Sequence, residues 1–425
     1  MELFYRATAK TGLSRDEIRA ALCRSLEGRT PKNVLLLPPD YTRYHSNAGL
    51  ISNLYYHLLT DMGASVDLMP ALGSHRAMTE EEVADMFGDI PFERFLVHNW
   101  RTGVVRLGEV PGEYLSEITE GLWKDPVSVE VNRCVMDPKY DLILSIGQVV
   151  PHEVIGMANH AKNLFVGVGG SDMINKSHMV GAVYGMERMM GRDFTPVRKL
   201  FDYALQTYLG DRPIVFVLTV NTAPQGNIHT HGLFIGDTRK VLEEAIALSQ
   251  QKNIDFVGHG IQKCVVYLDP KEFQSTWLGN KAVYRTRMAV ADDGDLLILA
   301  PGVTHFGEDE QIDKLIRKYG YCGRMNVLKL FGENEDLQEN MGAAAHLIHG
   351  SSDGRFRITY AVRPHMPRED VENANFLWAD YDETIKRYDP TKLQYGYNTL
   401  PDGEEIFFIP NPALGLWINR ETFRG

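Results

Sequence analysis

Between Ser145 and His178 the chain reads SIGQVVPHEVIGMANHAKNLFVGVGGSDMINKSH, a stretch rich in side chains able to move protons, form covalent links or ligate a metal. His152, Lys162 and His178 stand ten and sixteen positions apart. An imidazole, with an ordinary pKa of about 6.5, serves as acid and as base near neutrality. The spacing is too wide for the single helical turn of a His-Glu-x-x-His zinc motif, so folding must assemble any site these residues share. Gly147, Gly169 and Gly170 are expected to mark sharp turns where backbone can approach a ligand.

The elements that must position these groups read as strand, loop and helix in repetition. The apolar run Asp141–Ile146 predicts a buried strand ending just before His152. Upstream, Ser14 caps a first helix, and Val34–Leu37 predicts a strand stopped by Pro38-Pro39 and followed by Asp40-Tyr41-Thr42-Arg43. A helical pattern over Leu50–Met62 precedes the strand Ser65–Met69 and the turn Ala71–Arg76, which carries His75. Thr79 before Glu80-Glu81-Glu82 is an N-cap with acids on the positive end of a helix dipole. Such alternation predicts a mostly parallel sheet with helices on its faces, and ligands then bind beyond the carboxyl ends of the strands. Asp40, Arg43, His75, Arg76 and His152 all follow strands, so the loop order puts them at one rim.

Residues 91–141 are less regular and suggest a sheet extension or hairpin insertion. Asn227-Ile-His229-Thr-His231 holds two alternating histidines that a strand would turn to one face, with no third ligand beside them. After the helix Thr238–Gln250 a second strand and helix series begins: strand Gln262–Leu268, helix Phe273–Ala291, strand Asp295–Ala300, helix Asp309–Tyr319, helix Leu337–Ile348 and strand Arg355–Val362. The fold class is therefore α/β, with two α/β domains over residues 1–253 and 254–404 and the active site expected in the cleft between them.

Composition excludes several classes. At 425 residues the chain exceeds the size at which one core usually divides. A net charge of −12 argues against a nucleic-acid surface, which needs clustered cations. No apolar run approaches the roughly 20 residues of a membrane span. The opening Met1-Glu-Leu-Phe-Tyr-Arg6 lacks a secretion signal's pattern, and Cys23, Cys134, Cys264 and Cys322 form no paired motif, so a cytoplasmic protein is expected. No Gly-x-Gly-x-x-Gly follows the first strand, which disfavours a nicotinamide dehydrogenase.

His152, Lys162 and His178 in this register, preceded by Asp40-Tyr-Thr-Arg43 and Gly73-Ser-His75-Arg76, resemble the lactate racemase family, over roughly Val34–Trp378. The resemblance implies a nickel-pincer nucleotide, a pyridinium mononucleotide that holds nickel through sulfur, carbon and sulfur. It implies Lys162 as the thioamide tether, His178 as the nickel ligand, and His75 and His152 as two bases on opposite sides of the substrate. It implies Asp40, Thr42 and Arg43 as cofactor contacts, and Lys281, Arg43, Arg76 and His305 as substrate contacts. Partners would be a small 2-hydroxy acid and the proteins that make the cofactor. The residues 405–425, with the run Ile406–Ile409, would rejoin the first domain.

The sequence departs from the family in Tyr41, where a histidine is usual, and in Asn159-His160-Ala161, where Gly-Gly-Arg often precedes the lysine. It also has Leu337-Gln-Glu-Asn-Met-Gly-Ala-Ala-Ala345 where lactate-active relatives carry a tryptophan. A larger pocket and a longer substrate, such as an aldonate epimerised at C2, are the expectation. Two other readings stand beside this one: a zinc or iron hydrolase using His75, His152 and His178 with Asp172 or Glu153, and a two-domain anion-binding protein without catalysis.

Overall fold

The computed structural model describes residues 2–413 and 415–423, and in it the chain divides into two compact units. The first comprises the residues up to Ser177 together with Met190–Asn253, and the second comprises His178–Met189 with the chain from Ile254 onward. The helix Ser171–Tyr184 therefore carries the boundary between Ser177 and His178.

The first unit contains strands β1 (Leu3–Arg6), β2 (Asn33–Leu37), β3 (Ser65–Leu68), β4 (Val104–Val110), β5 (Val127–Asn132), β6 (Leu142–Gln148), β7 (Pro151–His152), β8 (Gly156–Met157), β9 (Ile214–Thr222) and β10 (His229–Gly236). Six of them form a sheet in the order β1-β10-β9-β6-β2-β3. The four strands from β9 to β3 are parallel, while β10 and β1 are antiparallel at one edge. Strands β2, β6 and β9 are buried along nearly their whole length, as the uninterrupted apolar runs require of parallel strands covered on both faces. On one face Ile18, Leu22, Ile51, Leu54, Val83 and Phe87 of three helices pack on Val34, Leu36, Val66, Leu144 and Val217. Each such buried aliphatic side chain contributes roughly 1.5–3 kcal/mol. The helix Arg239–Lys252 packs against β9 and β10.

The irregular region is a hairpin, β4 against β5. It braces the stretch after Lys162: Val131 bridges Gly169, Asn132 donates its amide to Val168 O at 2.7 Å, and the Ser128 amide donates to Asp172 at 2.7 Å.

The second unit is built on strands β11 (Asp255–Val257), β12 (Ile261–Tyr267), β13 (Val290–Leu299), β14 (Arg357–Val362), β15 (Leu377–Asp380), β16 (Gly396–Thr399), β17 (Glu405–Ile409) and β18 (Trp417–Asn419). Its main sheet runs β15-β14-β13-β12-β17-β16 and is parallel except for β16. The C-terminal run does not return to the first unit. Phe407, Phe408 and Ile409 pair with Cys264, Val265 and Val266 of β12, filling a parallel slot in the second sheet. The single helix expected over 273–291 is instead two short ones, Thr276–Gly279 and Lys281–Thr286, and β13 begins at Val290. All four cysteines are free thiols. Among the described residues no helix is long and apolar enough to cross a membrane.

Candidate active site at the carboxyl ends of the first sheet

Three parallel strands deliver the reactive loops of the first unit. Strand β2 runs into Pro38-Pro39, which ends its ladder, and Asp40 follows with 5% of its surface exposed. The loop after β3 lies alongside: Ala71 donates its amide to Pro38 O at 2.7 Å, and Pro39 bridges Ala71. This juxtaposition puts His75 Nδ1 2.6 Å from Asp40 Oδ2, while the Thr42 hydroxyl donates to Asp40 Oδ1 at 2.6 Å. Burial works to raise the Asp40 pKa, but His75, the Thr42 hydroxyl and the Arg43 charge outweigh it and hold the carboxyl below its ordinary range. Asp40 thus stays a carboxylate that accepts the Nδ1 proton of His75, leaving Nε2 with the lone pair. The His75 side chain is half exposed, as an acid-base group that meets a ligand must be.

Lys162 sits where the chain enters a π-helical turn, Asn163–Gly167, closed by the Val168 amide donating to Asn163 O at 3.0 Å. The buried Asn163 side chain donates to Leu37 O at 2.9 Å and to Ser145 Oγ at 3.0 Å, pinning the lysine turn to the ends of β2 and β6. Gly73 donates to Gly167 O at 2.8 Å, joining the His75 loop to the same turn. Burial and then the neighbouring Arg43 charge push the Lys162 amine down to about 8, against the opposite pull of Glu153 and Asp40. Arg43 forms no ion pair among the described residues, so its guanidinium is available to an anion.

His152 ends β7 and is 9% exposed. The Val154 amide donates to its Nδ1 at 3.1 Å, so the neutral ring carries its proton on Nε2, the reverse of His75. The flanking Glu153 is among the charges felt by Lys162. Arg76, expected to meet substrate, is held by Glu82 in a two-pronged ion pair, with Nη1 3.0 Å from Oε2. Glu82 belongs to the capped helix Glu80–Phe87.

The remaining candidates belong to the second unit. His178 follows the boundary in the helix Ser171–Tyr184. Lys281 opens the helix Lys281–Thr286, with Nζ 5.6 Å from the Phe273 ring centroid. The His305 loop runs beside the preceding helix through the Ser275–His305 bridge, and Thr304 Oγ1 lies 2.8 Å from His305 Nδ1.

Several positions work differently from the expectation. Gly147, Gly169 and Gly170 make room for protein atoms, since a Cβ would stand 1.8 Å from Asn159 Nδ2, 1.8 Å from Phe165 O and 1.9 Å from Glu130 Oε2 respectively. The His229 and His231 rings lie 6.3 Å apart, but His231 pairs with the Thr222 hydroxyl at 2.8 Å and the pair belongs to no metal cluster. Among the described residues no three His, Cys, Asp or Glu side chains gather in a way that could hold a metal. Asp172 is paired with Lys176 at 2.9 Å.

Sequence reading missed three supports. His98, neutral because burial lowers its pKa, bonds Gly169 O at 3.1 Å. Arg198, 1% exposed, donates to Met157 O at 2.7 Å and to Asn159 O, bracing the chain ahead of Lys162. Trp277 packs at a tilt on His346 with centroids 4.1 Å apart, so an indole does face the helix Met341–His349, supplied by another element. None announces itself locally, because each acts on a group far away in sequence.

A family model for the lactate racemase N-terminal domain matches residues 21–190, a span containing the lysine turn, both strand-exit histidines and His178. Over that span the chain is similar to the lactate racemase N-terminal domain. The solved structure of a Thermotoga maritima protein superposes with a TM-score of 0.80 at 22% identity, covering 97% of this chain and 99% of that one. The lactate racemase apoprotein from Thermoanaerobacterium thermosaccharolyticum superposes with a TM-score of 0.70 at 17% identity, covering 96% and 93%. At these identities the likeness to the two structures is one of fold. No curated protein matches the chain.

Proposed function

We propose that this lactate racemase relative inverts C2 of a 2-hydroxy acid by reversible hydride transfer, and that its cofactor is a nickel-pincer nucleotide. The observation that carries the reading is the Lys162 turn, where a partly neutral amine is set beside the Asp40–His75 pair and the unpaired Arg43. The donor set fits such a group. With no three-ligand cluster among the described residues, a metal must bring most of its ligands with it, as a pincer nucleotide does, and needs from the protein one imidazole, His178, and one tethering amine, Lys162. When bound, the group supplies the hydride acceptor.

The chain's own residues do the rest. His75, oriented by Asp40, takes the substrate hydroxyl proton at Nε2, and His152 presents an Nε2 proton for the return step. The two tautomers are thus preset for opposite roles. Arg43 grips an anionic group of cofactor or substrate through a two-pronged contact, with Asp40 and Thr42 as further cofactor contacts, and Lys281 and His305 serve the substrate. Arg76 joins only if Glu82 releases it.

The stretch 337–345, without the tryptophan that lactate-active relatives carry there, favours a substrate longer than lactate, an aldonate. The test uses protein made together with the cofactor-producing proteins and a panel of 2-deuterated hydroxy acids. Inversion with the label retained is the expected result, because a hydride never exchanges with water. Loss of label to solvent, or no inversion of any acid by protein whose Lys162 carries the added mass, refutes it. Turnover of lactate without any on sugar acids refutes the longer substrate alone.

A further inference from the structure

Two consecutive residues just ahead of Lys162 hold a backbone conformation that L-amino acids avoid. Asn159 and His160 have φ of 69° and 60°, and among the described residues no other two non-glycine neighbours both have positive φ. Asparagine visits the left-handed region more readily than histidine, whose Cβ crowds the following carbonyl oxygen, so His160 carries the greater strain. Such a conformation persists only where its surroundings hold it. The Ala158 amide donates to Val150 O at 2.8 Å, Arg198 donates to the carbonyls of Met157 and Asn159, and the Asn159 side chain occupies the space that a Cβ on Gly147 would need. Beyond the strained pair, His160 O accepts the Asn163 amide at 2.9 Å, which opens the turn that carries Lys162. At His160 itself the hold is the ring, which is buried and stacks on Phe216 of β9 with centroids 3.7 Å apart. Neither ring nitrogen has a hydrogen-bond partner, so packing and not polar contact keeps the ring in place.

We propose that His160 is a positioning residue for Lys162: its stack on Phe216 holds a left-handed elbow that its own Cβ disfavours, and the elbow sets where the lysine amine stands. The inference rests on the reading above in taking Lys162 as the reactive amine. The charges that Lys162 feels come from other elements, Arg43 and Asp40 after β2, Glu153 after β7, and Arg198 in the helix Pro196–Tyr208. A shift of the elbow therefore changes the burial of the amine and these distances together, and the midpoint of its titration reports its position. Burial keeps the His160 imidazole neutral, so replacing it removes no charge and leaves position as the cause of any change.

The test labels the full chain, free of cofactor, with an amine-acylating reagent over the pH range that spans the Lys162 midpoint, and compares three replacements of His160. His160→Phe keeps a ring on Phe216, and the midpoint should stay at about 8. His160→Ala loses the ring and keeps the Cβ, so the elbow swings toward right-handed backbone. The midpoint should then rise toward the ordinary lysine value by about one pH unit or more, about a tenfold loss of neutral amine near neutrality. His160→Gly loses the same ring, yet glycine accepts positive φ without strain, and the midpoint should return to about 8. An alanine variant that is less stable in urea but keeps the midpoint at about 8 makes His160 a packing residue only and overturns the proposal. Equal rises in the alanine and glycine variants overturn it too. If the alanine variant misfolds, Phe216→Leu removes the other half of the stack; the same rise is expected, and an unchanged midpoint overturns the proposal. None of these outcomes touches the hydride reading, which inversion of a deuterated acid by cofactor-loaded protein tests by itself.

Discussion

The depressed pKa of Lys162 sets up the most direct test of the site. With the amine at about 8 rather than its ordinary 10.5, about one chain in ten carries a neutral, nucleophilic Lys162 at pH 7, against roughly one in three thousand for a solvated lysine. Competitive labelling of the untethered protein with an amine acylating reagent across pH 6–11, read residue by residue in peptide mass spectra, measures this. Lys162 should reach half its limiting reactivity near pH 8, while Lys314, exposed on its helix, should not. Two substitutions supply the signs. Arg43→Gln removes a cation and should move the midpoint up; Glu153→Gln removes an anion and should move it down. A midpoint above about 10, or both variants moving it the same way, refutes the reasoning. The same shift has a stability consequence. Below pH 8 the amine is charged in both the folded and unfolded chain, and its burial counts fully against folding. Between about 8 and 10.5 the unfolded chain binds the proton that the folded one has released, so this residue's share of stability rises with pH over that window.

Other outcomes follow from single contacts. Asp40→Asn leaves His75 without the carboxylate that fixes its ring, and turnover should fall by about 10²–10⁴ with KM changed little; a loss of only a few-fold would remove His75 from the role of base. His75→Ala should abolish inversion while substrate still binds calorimetrically, and undiminished inversion would refute the two-base scheme. Asn163→Ala strips Leu37 O and Ser145 Oγ of their shared donor and should lower stability in urea unfolding by about 1–3 kcal/mol. Gly169→Ala forces a Cβ against the fixed backbone oxygen of Phe165 and should destabilise by about 1–3 kcal/mol, more than Gly170→Ala, where the Glu130 carboxylate can swing aside. Equal losses in the two glycine variants would contradict that distinction.

What the chain discloses about itself divides along the range of the forces involved. The first sheet was legible because each parallel strand is a short apolar run closed by proline or glycine, and because capped helices such as Glu80–Phe87 follow local rules. The strand-exit positions of Asp40, His75 and His152 follow from that alternation. Where burial competes with local signals the sequence is silent. The apolar pattern of 273–291 reads as one helix, yet Asn280, wholly buried and bonded to the Tyr360 hydroxyl at 2.7 Å, stands between two short ones. The partner of β17 could not be read either, since Ile406–Ile409 would suit an open parallel slot in any sheet. Arg76 looked available because nothing in its local sequence shows that Glu82, six residues on, turns back from the first turn of a helix to hold it.

The π-helical turn at Asn163–Gly167 makes chain length itself a functional constraint. Each residue of an ordinary helix advances the chain by about 100°, so deleting one residue from this five-residue widening would relax it to the common winding and swing every downstream side chain by about that angle. Asn163 would keep its hold on the strand ends while Gly167 lost its place under the His75 loop. A deletion here would therefore shift the register of everything that follows, which no single substitution in the segment does.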